Sequence, residues 1–264
     1  MWVRSSIFAC LMLLAPPLPA QQSAADFDHQ HSQYAEVLAR VVQAGAVDYA
    51  ALQRDRNLLD NYRARLAAVS EKTLESWTRD QQLAFWINAY NASVLATILD
   101  HYPITRGSLV GLAFPANSIW QIPGAFKTAR HKLAGRTRSL DNIEHDIVRP
   151  RFRDPRVHMA LVCAARGCPP LRAEPLVGSR LGAQLDDQTR VYLGDREHGF
   201  RWDSGAKRLA ISSIFKWFAE DFAAGGGVRA FVAQHLGDPV LATAVLDTSN
   251  SLRYLDYDWT LNER

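Results

Sequence analysis

Across residues 30–43 the apolar positions Tyr34, Val37, Leu38, Val41 and Val42 recur at helical spacing, and Gly45 follows, so the pattern predicts a helix that presents one stripe to a core. A short VDYAAL run (47–52) starts like a strand, and residues 54–69 then repeat Leu58, Leu59, Tyr62, Leu66 and Val69 as a second amphipathic helix. Residues 81–102 are apolar nearly all round; Thr78 or Asp80 caps them and Pro103 limits them, which predicts a central, mostly buried helix. From Gly107 to Pro123 no period emerges, and a long irregular connection is expected there. Residues 126–140 read as a hairpin turning at Ala134-Gly135. Ser139 then caps a helix over 140–149 that Pro150 stops. Val157–Cys163 is short and apolar, the pattern of a buried strand. Beyond it come a helix over 181–193, a hairpin over 200–212, a helix over 213–222 facing Ile214, Phe215, Phe218 and Phe222 inward, a helix over 227–236 and a final strand over 252–261. Helices outweigh strands, and the strands come as local hairpins. The expected fold is α+β: one mostly helical domain with short β-hairpins and a small sheet.

The 264 residues, 48% hydrophobic and 22% charged, have the composition of a globular chain able to bury a core. A net charge of +3 is too small to imply a nucleic-acid partner. Residues 1–20 combine a cation at Arg4, an apolar run from Ile7 to Ala15 and an end at Ala20, which reads as a signal peptide. The expectation is a periplasmic or secreted chain over 21–264, with no transmembrane segment in the mature protein, since no run reaches the ~18 apolar residues of a span. Residues 127–156 hold more cations than acids, a spread that suits an anionic cell-envelope component if it is not simply a solvated face.

Removing residues 1–20 leaves two cysteines, Cys163 and Cys168, and three readings of the segment from His158 to Cys168 stay open. In the first, one sulfur is a nucleophile for an amide or ester, Cys163 foremost. An imidazole, His158 or His145, serves as base, Glu144 orients it, and backbone amides near Ala164 hold the oxyanion. A regular strand over 157–163 would point His158 and Cys163 to opposite faces, so this reading requires a bend at the strand exit, Cys168 folding back towards His158, or a different base such as His145, His101 or His131. In the second, Cys163 and Cys168 form a disulfide worth about 2 kcal/mol in a non-catalytic binding or scaffolding domain. In the third, His158, Cys163 and Cys168 begin a zinc site, a weak signal for a single triplet, so no cofactor is expected. Asn88 and Asn91 sit in a helix that their propensity does not favour, which marks their amides as architectural ties inside the core or to a loop.

VDYAAL, LAFWINAYNASVLATILDHYP, LDNIEHDIVRPRF, DPRVHMALVCAARGCPPL, SIFKWFAEDF and LDYDWTLN occur here in the order seen in the domain of unknown function 547 family, which the chain resembles over roughly residues 45–260. The resemblance implies that Asn88, Glu144, His158, Cys163 and Cys168 fall in family motifs. Val162 stands where the family often has Asn, and Arg166-Gly167 where Ser is frequent, so no side-chain amide is available there. In Cys/His content the chain is also similar to papain-like and transglutaminase-like thiol enzymes, an analogy that leaves the substrate, a peptide or a cell-envelope component, undefined.

Overall fold

Apolar residues all round one segment leave it no solvent face, and the structure, a computed structural model describing residues 27–107 and 110–264, accordingly wraps the rest of the chain around it. The proposed signal peptide lies outside the described residues. The first element, α1 (Ser32–Val41), buries Tyr34, Val37, Leu38 and Val41. Strands β1 (Val42–Gln43) and β2 (Ala46–Val47) form a tight antiparallel turn, with Val42 opposite Val47. Gly45 makes that turn at φ +85°, and a Cβ there would overlap Pro170. Helices α2 (Tyr49–Arg54), α3 (Arg56–Ala68) and α4 (Glu71–Glu75) lead to α5 (Arg79–Leu99), whose residues from Gln82 to Leu99 are all buried. Thr78 accepts from the Gln81 amide while Gln81 reaches back to the Thr78 amide, a reciprocal cap that fixes where α5 begins.

The 126–140 segment is a hairpin, β3 (His131–Leu133) with β4 (Arg136–Arg138), and Leu133 and Ala134 are buried at its turn. Two elements next to it differ from the sequence pattern. Residues Asn142–Val148 form a π-helix, and Pro150 does not end it: the proline sits in the first turn of α6 (Arg149–Phe152), where its missing N–H costs nothing. Val157–Cys163 is not a strand. Pro155–Met159 is a 3₁₀ turn, started by Asp154 accepting from the Arg156 amide, and 160–163 runs on without a strand partner. Apolar content there signals burial, as residues 157–162 are all buried, but Pro155 and the Asp154 cap decide the backbone.

Helix α7 (Leu181–Gly194) leads into a three-stranded sheet in which β5 (Phe200–Asp203) pairs antiparallel with β6 (Arg208–Ile211), and β6 pairs in parallel with β7 (Ser251–Tyr254). The helix expected over 213–222 is shorter: α8 covers Ile214–Trp217, and a 3₁₀ turn Ala219–Gly225 continues it. Then α9 (Gly227–His235) and α10 (Pro239–Leu246) close the layer over the sheet. The strand expected over 252–261 stops at Tyr254, and the remainder crosses to the α5 layer, where Leu261 bridges Ala165 and Glu263 bridges Val47. The fold is a mostly helical α+β domain with small sheets of two and three strands. One apolar cluster centres on α5; the other, with Met159, Tyr192, Leu209, Phe215, Phe222 and Val232, lies under the sheet.

Candidate functional site

Two buried asparagine amides on α5 set the backbone of the site. Asn91 Nδ2 donates to the Ala160 carbonyl at 2.9 Å while the Val162 amide donates to Asn91 Oδ1 at 2.9 Å. Asn88 makes the same two-way clasp with the carbonyl and amide of Leu176, at 2.8 and 3.0 Å. In each case a side chain satisfies a buried N–H and C=O that no strand serves, so α5 holds an irregular segment in one register.

The 3₁₀ turn removes the strand alternation that would have separated His158 from Cys163, and both line one cavity of about 640 Å³. His158 is 3% exposed; its Nε2 lies 2.7 Å from Asp221 Oδ2, and Phe218 stacks on its ring at 4.0 Å between centroids. Asp221 also accepts from Arg149 Nε at 2.6 Å, and Arg149 reaches Glu220 at 2.9 Å. The hydrogen bond from His158, with Arg149 adding to it against burial, holds the Asp221 carboxyl well below the usual carboxylate range. Asp221 lies behind the imidazole and outside the cavity lining.

Cys163 and Cys168 are joined as a disulfide, with Cys163 half-buried on the cavity wall and Cys168 buried. The Tyr257 hydroxyl donates to Cys168 Sγ at 3.0 Å, and burial pushes that phenol well above its ordinary range. Between the cysteines Ala164 takes φ +64°, a left-handed conformation uncommon for a residue with a side chain. The C-terminal segment clamps this loop: the Arg166 amide donates to Thr260 and the Gly167 amide to Asp258, and a Cβ on Gly167 would meet the Asp258 backbone at 2.8 Å. The Cys163 amide points at Cys168 Sγ, and the Cys168 amide donates to Ala165. Among the described hydrogen bonds, the amides of Ala164 and Ala165 have no acceptor.

Glu144 and His145 reach the same cavity from the π-helix, a backbone form frequently found at functional sites. Glu144 lies beside the buried Tyr90 hydroxyl; burial first, and that carboxylate next, raise the phenol well above its ordinary range. His145 is exposed, and its Nδ1 is 3.1 Å from Arg149 Nη1. Thus Glu144, His145, His158, Cys163 and Cys168 surround one space, while Asn88 and Asn91 stand behind its wall and His101 and His131 line none of it. The carboxylate that meets an imidazole is Asp221, not Glu144. Sequence reasoning missed it because residues 213–222 read as a helix whose apolar residues alone face inward; the acidic pair Glu220-Asp221 flanked by Phe218 and Phe222 was the available signal.

Among the described residues no group of three or more His, Cys, Asp or Glu side chains is arranged to hold a metal. The proposed zinc triplet does not assemble, because His158 turns to Asp221 and the two sulfurs are joined. Nor does any described helix have the length and apolarity to cross a membrane. No curated protein and no solved structure matches the chain. Residues 74–193, which carry α5, the π-helix, His158 and both cysteines, match the sequence profile described as "Protein of unknown function, DUF547", and over this segment the chain is similar to that family.

Proposed function

We propose that the cavity is a thiol site for acyl-type chemistry, hydrolysis or transfer at an amide or ester, kept oxidised in an exported protein and opened by a dithiol. The observation that carries the reading is that the buried imidazole of His158, backed by Asp221, and the half-buried sulfur of Cys163 face one space. In the opening step an external dithiol supplies two electrons. The Cys163–Cys168 bond breaks, both cysteines become thiols, and the reductant leaves as its own disulfide. With Nε2 engaged by Asp221, Nδ1 of His158 is the nitrogen left to take the Cys163 proton. The thiolate attacks the carbonyl, the amides of Ala164 and Ala165 receive the oxyanion, and the leaving amine or alcohol takes the proton back from His158. Water or a second nucleophile then cleaves the thioester and regenerates the thiol. His158 is preferred to His145 as base because it is buried and has its own carboxylate; Asp221 is a positioning residue. Glu144 and His145 also line the cavity, where they contact substrate. The proposed substrate is a peptide or another cell-envelope amide or ester.

The disulfide itself favours a second reading, a non-catalytic binding domain in which the bridge stiffens the cavity wall. Hydrolysis of 4-nitrophenyl acetate with and without dithiothreitol separates the two. The thiol reading predicts reductant-dependent turnover with a first-turnover burst, absent in Cys163→Ala and independent of reductant in Cys168→Ala. If reduced wild type and Cys168→Ala are no faster than Cys163→Ala, the binding reading stands.

A further inference from the structure

Seven Phe, Trp and Tyr rings line the cavity, and they meet at angles instead of forming a single flat face. Trp259 is the hub: Trp217 stacks on it at 5.7 Å with 21° between planes, Trp120 meets it nearly perpendicular at 5.6 Å, and Tyr257 leans against it at 4.5 Å. Such a box offers ring faces from several directions, the arrangement that stabilises a soft, poorly hydrated cation. Into the same space open two half-buried carboxylates, Asp141 and Glu144, and neither has an ion-pair partner among the described residues. The single lysine of the lining, Lys127, is exposed at the rim. An apolar occupant of this box would strip water from Asp141 and Glu144 and return nothing, and a neutral donor would return hydrogen bonds alone, whereas a cationic occupant offsets the loss with both the carboxylates and the rings.

We propose that the ligand carries an alkylated ammonium group, seated among Trp120, Tyr257 and Trp259 with Glu144 as its counter-charge. At about 640 Å³ the cavity is much larger than that head group, so the remainder of the ligand extends past it toward Cys163. The inference rests on the cavity being a ligand site, as proposed above, but not on the thiol, and it is tested on the oxidised protein, where the thiol reading predicts no turnover.

The test is calorimetric titration of the oxidised full chain with choline and with its uncharged carbon isostere 3,3-dimethylbutan-1-ol. The expected result is choline binding at least about tenfold tighter than the isostere. Glu144→Gln should remove most of that difference while leaving the isostere's affinity unchanged, and Trp259→Ala should weaken choline in a chain whose thermal midpoint is checked separately. Equal affinity for the two probes, no choline binding, or tighter binding of uncharged N-acetylglucosamine than of choline would overturn the inference. Choline binding by a protein that never turns over an ester would leave it standing and remove only the thiol chemistry.

Discussion

Asn91→Ala should unfold the site's scaffold more than any surface change, and the size of the effect follows from two bonds. Asn91 is 7% exposed, and its amide is the partner of both the Ala160 carbonyl and the Val162 amide. Truncation orphans two buried backbone groups at about 1–3 kcal/mol each, so the expected loss is about 2–6 kcal/mol. For a domain of this size that corresponds to a midpoint lower by roughly 5–15 °C. Asn91→Asp separates the two bonds: its carboxylate still accepts from the Val162 amide but faces the Ala160 carbonyl oxygen with no proton to donate, so the loss should also exceed 1 kcal/mol. Urea denaturation of the oxidised chain, followed by tryptophan fluorescence, gives the number, with exposed Asn61→Ala as the control expected within about 0.5 kcal/mol of wild type. Hydrogen exchange adds a local readout, since the Val162 amide should lose its protection in Asn91→Ala. A loss under 1 kcal/mol, or unchanged Val162 protection, would refute the claim that this side chain holds the His158–Cys163 segment.

Other consequences are as direct. Burial pushes His31 and His131 down to about 4 from an ordinary value of 6.5, so the unfolded chain takes up their protons first; stability should fall as pH drops from about 6.5 to 4, with nothing further lost from these groups below that. Among the described residues His131 has no hydrogen-bond partner for either ring nitrogen, and His131→Leu should remove up to about 3 kcal/mol of that fall; an unchanged slope would contradict it. Gly199→Ala would drive a Cβ into the Tyr192 carbonyl and should cost about 1–3 kcal/mol by urea denaturation, even though the residue is not part of the cavity lining. Replacing both cysteines by Ser should cost only about 2 kcal/mol, because the bridge closes a loop of few residues. If the reduced protein turns over an ester as proposed, Asp221→Asn should lower kcat by at least about tenfold and shift the pH profile with KM little changed; an unaltered profile would make the His158–Asp221 pair purely structural.

What could be read from the chain and what could not divide along physical lines. The all-round apolar run and the Thr78 cap placed α5, and the one-sided stripes placed α1, α3 and α7, because burial periodicity and capping are local properties. Asn88 and Asn91 stood out for the same local reason, an unfavourable residue in a helix, but what they hold lies about 70–90 residues away and no local rule names it. Val157–Cys163 was misread because hydrophobicity reports burial without distinguishing a strand from a 3₁₀ turn capped by Asp154 and followed by an irregular segment that the Asn91 amide holds. Pro150 was read as a stop although it serves equally as a first-turn residue of a new helix. Nothing local indicates that residues 142–148 coil with a π period, nor that Asp221, 63 residues beyond His158, completes its hydrogen bond. The cavity residues Glu144, His145, His158, Cys163 and Cys168 could be singled out as chemistry-bearing types, yet the aromatic box around them comes from segments 120–126, 217–218 and 257–259, whose convergence is tertiary.

The central claim is that Cys163, once released from Cys168, is a thiolate kept ready by His158. The most direct measurement is the rate of iodoacetamide alkylation of the reduced protein across pH 5–10, with the modified cysteine identified by peptide mass. The account predicts that Cys163 reacts first, with an apparent pKa at least about one unit below the ordinary thiol value near 8.5, and that His158→Ala returns it to that value. Two cysteines titrating alike as ordinary thiols, indifferent to His158, would contradict it.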